Sequence, residues 1–94
     1  MRTLRVAAVQ MVSAPLDKEK NLAAVERLAA RAARRGARLV AFPECCVTGY
    51  EPLAKLSLAR LRDVAERVPS GPSVRRLLAA ARRLRIGIGA GLIE

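Results

Sequence analysis

Histidine and tryptophan are absent from this chain, phenylalanine and tyrosine occur once each, and the only cysteines are neighbours, Cys45 and Cys46. Without histidine there is no imidazole to activate a serine or cysteine nucleophile, and two adjacent thiols do not make a metal constellation. Adjacent cysteines do not easily reach ordinary disulfide geometry, which argues against a disulfide-stapled secreted scaffold. No apolar stretch approaches the roughly 18 residues of a membrane span. Nor does an apolar run with a small-residue cleavage site follow Arg2 and Arg5, so the chain is expected to be soluble and cytoplasmic, with no membrane partner.

Acidic residues are also scarce. Eight Asp and Glu stand against 18 Lys and Arg, a formal charge of +10. Such an excess invites a nucleic-acid reading, because clustered cations release counterions from phosphate. The arginines are expected on outer helix faces, however: Arg27, Arg31, Arg34 and Arg35 on one helix, Arg75, Arg76, Arg82, Arg83 and Arg85 on another. With so few aromatics there are almost no stacking platforms for bases. Solvated basic faces are the preferred reading, with no nucleic-acid partner; a basic nucleic-acid-binding module or a non-catalytic structural partner module is the alternative.

What is present is an apolar half of the composition arranged with clear periods. Leu4 to Met11 reads as a strand buried on both faces. Asp17 is placed to cap a helix with the stripe Leu22, Val25, Leu28, Ala29 and Ala32, which Gly36 stops. Leu39 to Phe42 reads as a second strand, parallel to the first across a right-handed crossover, ended by Pro43. Residues 44–56 form a loop, after which Ser57 caps a helix carrying Leu58, Leu61, Val64, Ala65 and Val68. Pro69 to Ser73 breaks the chain, and Pro72 starts a third helix with Val74, Leu77, Leu78, Ala81 and Leu84 inward. Ile86 to Ile93 reads as a third strand. The order is β-α-β-α-α-β, an α/β unit.

Three parallel strands with helices on one side leave a face that needs cover, since parallel sheets are normally buried on both sides. With the chain stopping at Glu94 directly after a strand, residues 1–94 are expected to be a fragment, or a chain completed by another polypeptide.

Ligands of parallel α/β sheets bind beyond the carboxyl ends of the strands, which directs attention to Glu44. Its sequence neighbours Phe42, Pro43, Cys45, Cys46 and Val47 would surround the carboxylate with apolar groups and suit it to general-base work. An exposed loop carboxylate is the competing reading, and position alone favours that one. Cys45 and Cys46 are read as packing cysteines. Gly87, Gly89 and Gly91 do not match a dinucleotide fingerprint, because they lie within the third strand rather than after it. No cofactor is expected.

Phe42-Pro43-Glu44 followed by Thr48-Gly49-Tyr50 resembles the glutamate motif of the nitrilase, or carbon-nitrogen hydrolase, superfamily, whose members hydrolyse amides, nitriles and carbamoyl compounds. The opening Val6-Ala7-Ala8-Val9-Gln10-Met11, Asn21 at the start of the first helix, and Gly91-Leu92-Ile93-Glu94 resemble the same family in the same order. The resemblance implies a four-layer α-β-β-α sandwich, commonly paired into dimers, of which residues 1–94 would be the N-terminal segment of a single domain, and a mechanism of Glu, Lys and Cys. In it Glu44 would be the general base, and Tyr50 would either line the substrate pocket or lie half-buried under its loop. The family's lysine and cysteine belong to later strand ends, beyond residue 94. Lys18, Lys20 and Lys55 do not match its lysine position. The substrate implied is a small amide, nitrile or carbamoyl compound.

Overall fold

In the computed structural model, which describes residues 2–94, the described residues form three short strands and three α-helices in the expected order. The strands are β1 (Val6–Ala8), β2 (Leu39–Ala41) and β3 (Gly87–Gly89), all parallel, with β2 in the centre. Ala7, Val40 and Ile88 stand in one row across the sheet. The paired segments are much shorter than the apolar runs in the sequence. Pairing stops where the chain leaves the neighbouring strand, although isolated ladder bonds continue: Val9 N–H donates to the Ala41 carbonyl at 2.9 Å and Phe42 N–H to that of Gly89 at 2.8 Å.

Helix α1 (Lys18–Arg34) forms because its apolar positions recur on one stripe and both ends are capped. At the start, the Asp17 carboxylate accepts from the Lys20 N–H at 3.0 Å. At the end, Gly36 takes a left-handed φ of 88°. Its N–H reaches the Ala33 carbonyl at 2.9 Å, while the N–H of Ala37 reaches that of Ala32 at 3.1 Å, a Schellman closure. Helix α3 (Pro72–Leu84) ends the same way, with Arg85 in the left-handed position at φ 56° and Ile86 N–H bonded to Ala81 at 3.1 Å. Helix α2 (Leu58–Val64) is shorter than the periodicity suggested. Ala65 already turns to an extended backbone, leaving Val68 outside the helix and half-exposed.

Helices α1 and α3 share one face of the sheet. Val25, Ala29 and Val40 have no exposed surface, and Leu22, Ala32, Ala37, Leu77 and Ile86 close the core around them. The opposite face carries Val6, Ala8, Leu39, Ala41, Gly87 and Gly89, all exposed. Burial on both faces, expected of the strands, is therefore met on one side only, because among the described residues no helix packs on the other. Leu78 also departs from its inward assignment and is 50% exposed, because the core-facing edge of α3 is taken by Ser73, Leu77 and Ala80.

Most of the named helix arginines are exposed as expected. Arg76 is the exception, because packing of α3 on α1 sets its guanidinium 2.6 Å from both Glu19 and Glu26, two acids on the same face of α1. No helix among the described residues is long and apolar enough to cross a membrane.

Candidate active site

Glu44 stands at the carboxyl edge of the central strand. The ladder runs one residue past β2 to Phe42, Pro43 has no donor to continue it, and residues 44–49 fold into a tight turn. Cys45 adopts a left-handed φ of 51° and its carbonyl accepts from both Thr48 N–H, at 3.2 Å, and Gly49 N–H, at 2.8 Å. The following Cys46, Val47 and Thr48 are completely buried.

The three chain segments that leave the carboxyl edge of the sheet are tied together under this turn. From the segment after β1, the Ser13 hydroxyl donates to the Cys46 carbonyl at 2.8 Å and the Leu16 N–H to that of Thr48 at 2.8 Å. From the first turn of α1, the Asn21 amide donates to the Val47 carbonyl at 2.9 Å. From the segment after β3, the Gly91 carbonyl accepts from Val47 N–H at 3.3 Å. Glu44 thus begins a turn whose far end is fixed on all sides.

Glu44 itself is exposed. The apolar enclosure expected from its sequence neighbours is not formed by these residues: Phe42, Pro43 and Cys45 are half-buried, and the fully buried Cys46 and Val47 turn into the core beneath. Adjacency in sequence does not give enclosure, because the turn sends its apolar members inward and its carboxylate outward. A groove of about 380 Å³ lined by residues of β1 and the end of α1, including Arg5, Gln10, Arg31 and Arg35, contains neither Glu44 nor Tyr50.

Tyr50 is 63% exposed at the start of a 3-10 turn, Glu51–Lys55, so it is not the half-buried residue that one reading expected. Cys46 packs in the core, where burial pushes its thiol up from the ordinary range, and the thiol lies 3.9 Å from the Gly91 carbonyl. Cys45 is only half-buried. Gly91 lies beyond the end of β3 rather than within it, because that strand stops at Gly89.

Two polar clusters escaped the sequence reading. Asn21, noted there only for its resemblance, is 2% exposed, and its side chain bonds both backbone groups of Ala14, accepting from the N–H at 2.7 Å and donating to the carbonyl at 2.8 Å. Glu66 is 9% exposed and pairs with Lys18 at 2.7 Å. It also accepts from the Ser73 N–H at 2.7 Å and from the Ser73 hydroxyl, which seats an anion at the positive end of α3. Burial raises the Glu66 carboxyl, but the hydrogen bonds from Lys18 and Ser73 outweigh it and hold the group below the usual range. The only signal in the sequence was an acid placed ahead of Pro-Ser-Gly-Pro-Ser. Lys18 is thereby committed to structure.

The fold agrees with comparisons to known proteins. A family model described as carbon-nitrogen hydrolase matches residues 5–94. A nitrilase of Pyrococcus abyssi is 33% identical over 91 residues, which is 97% of this chain and 34% of that protein. An aliphatic nitrilase of Rhodococcus rhodochrous is 36% identical over 100 aligned residues, 98% of this chain and 27% of that protein. Among solved structures, an amidase from Nesterenkonia sp. superposes with a TM-score of 0.66 at 30% identity, covering 90% of this chain and 30% of the amidase. A glutamate-to-glutamine variant of the amidase from Nesterenkonia sp. AN1, showing Michael addition of acrylamide at its active-site cysteine, superposes with a TM-score of 0.67 at 28% identity, covering 92% and 32%. The chain thus spans about a third of the length of these relatives. Matched over nearly all of its residues, it belongs to the carbon-nitrogen hydrolase family.

Proposed function

We propose that the complete protein hydrolyses a non-peptide carbon-nitrogen bond of a small amide, with a nitrile or carbamoyl compound as the related possibilities, and that Glu44 is its general base. One observation carries the residue assignment: Glu44 lies just past the central strand, on a turn fixed by buried residues and by three neighbouring segments. Strand ends at the carboxyl edge are where parallel sheets place reacting groups. An amidase relative solved in complex with acrylamide supports a small amide as the substrate class.

In this reading Glu44 takes the proton of a cysteine thiol, the thiolate attacks the carbonyl carbon, and a lysine stabilises the developing oxyanion. The lysine and the nucleophile come from residues beyond Glu94. So does the enclosure that makes a carboxylate basic, packed over the open face of the sheet to complete an α-β-β-α sandwich. Tyr50, exposed beside the same turn, lines the substrate pocket once that cover is in place. Pairing into a homodimer or higher oligomer belongs to the same proposal.

Glu44→Gln in the complete protein tests this. It should leave the fold intact and lower turnover by about 100-fold or more, the range of a positioned general base. Near-normal turnover in the folded variant refutes the assignment.

A further inference from the structure

The peptide bond that follows Glu44 is held by two separate devices, and we infer that Cys45 and Gly91 are positioning residues that aim the Glu44 carboxylate. This rests on the general-base reading of Glu44 and adds to it the means by which the group is oriented.

The first device is the left-handed backbone of Cys45, at φ 51°, a region that L-residues seldom enter and β-branched residues enter least. It turns the chain so that the Cys45 carbonyl receives the N–H groups of Thr48 and Gly49 while Glu44 remains outside. The second is the bare backbone of Gly91. A Cβ at that position would lie 2.6 Å from the Cys45 nitrogen, 3.3 Å from its Cα and 3.4 Å from the Glu44 carbonyl carbon. All three are backbone atoms, so no rotamer change relieves the contact.

The direction in which the chain must yield is also set. Downstream of Cys45, residues 46–48 are buried and bonded to Ser13, Leu16, Asn21 and Gly91, so they cannot shift without breaking the core. Upstream, Glu44 is exposed. A side chain at position 91, or a change of backbone region at position 45, therefore moves Glu44. Misplacing a reacting group by about 1 Å costs about 100-fold in rate.

The experiment measures kcat, KM and thermal midpoint for Gly91→Ala, Cys45→Val, Cys45→Asn and Glu44→Gln in the complete protein. Gly91→Ala and Cys45→Val should lower kcat by about 100-fold while KM stays within a few-fold of the parent. Cys45→Asn, whose side chain tolerates the left-handed region, should recover most of the turnover that Cys45→Val loses. Should Gly91→Ala fail to fold, the Cys45 pair still decides the matter. The inference is overturned if Cys45→Val turns over like the parent while Glu44→Gln is inactive. It is overturned equally if Cys45→Asn is as slow as Cys45→Val, which would assign the effect to the thiol. An active Glu44→Gln would instead remove the general-base reading on which it rests.

Discussion

Glu66 and Ser73 close a ring across the turn that separates α2 from α3: the carboxylate accepts both the Ser73 N–H, at 2.7 Å, and the Ser73 hydroxyl. The ring also explains Gly71, where a Cβ would lie 2.8 Å from the Glu66 Oε1 and 2.7 Å from the Arg67 carbonyl oxygen. Lys18 completes it from α1 by donating to Glu66 and to the Val64 carbonyl.

This buried anion makes stability depend on acid. Because the Glu66 carboxyl sits below the usual range when folded, the unfolded chain takes up its proton first as pH falls. Its contribution is complete above the ordinary glutamate value of about 4.3 and disappears as pH drops through the folded value. Glu66→Gln should cost about 2–4 kcal/mol at neutral pH, since it removes the counter-charge of Lys18 and leaves that ammonium only neutral acceptors. Chemical denaturation of both proteins across a pH series should show that gap shrinking below about pH 4. A gap that stays constant into acid contradicts the assignment.

The Asn21 side chain bonds the N–H of Ala14 and the carbonyls of Ala14 and Val47, of which the Ala14 carbonyl also accepts from the Asp17 N–H at 3.3 Å. Asn21→Ala leaves the Ala14 N–H and the Val47 carbonyl without the partner they have here, each at about 1–3 kcal/mol, so a loss of about 2 kcal/mol or more is expected. Asn21→Asp keeps the acceptor for Ala14 but turns an anion toward the carbonyls of Ala14 and Val47, and should be at least as harmful. Urea unfolding of the two variants decides this, and a loss below about 0.5 kcal/mol in either would refute it.

Two left-handed helix ends call for substitutions of opposite sign. Gly36→Ala should destabilise by about 1 kcal/mol or more, because φ is 88° and the new Cβ would lie 2.8 Å from the Arg5 guanidinium. Arg85→Gly should stabilise by about 0.5–1 kcal/mol, since it relieves a side chain held at φ 56°. A thermal midpoint that falls in the second variant would show that the arginine side chain makes a compensating contact.

Arg76 bridges two acids on α1 with side-chain exposures of 29% for the arginine and 81% and 24% for Glu19 and Glu26. Its hydrogen bond, set against partial burial, draws the Glu26 carboxyl below the usual range. Arg76→Met should still cost under about 1 kcal/mol, and the loss should diminish in high salt, because both ion pairs are partly open to solvent and so screened. A loss of several kcal/mol that is insensitive to salt would argue for a packing role of the stem.

The order of elements, the long first helix with its Asp17 cap and Gly36 stop, and the segment that carries Glu44 were all legible in the residues, because period, capping and turn chemistry act over a few positions. The same local reasoning drew the strands too long and buried them on both faces, since pairing depends on where distant segments part and burial on what packs above them. It ran α2 to Val68 and turned Leu78 inward for the same reason. Tertiary structure alone decided that Glu66 would lie beside Lys18, 48 residues away in sequence, that Gly91 would press on the peptide after Glu44, and that this carboxylate would stand exposed. Contacts of that kind are fixed by long-range closure of the chain, which no periodicity within one segment records.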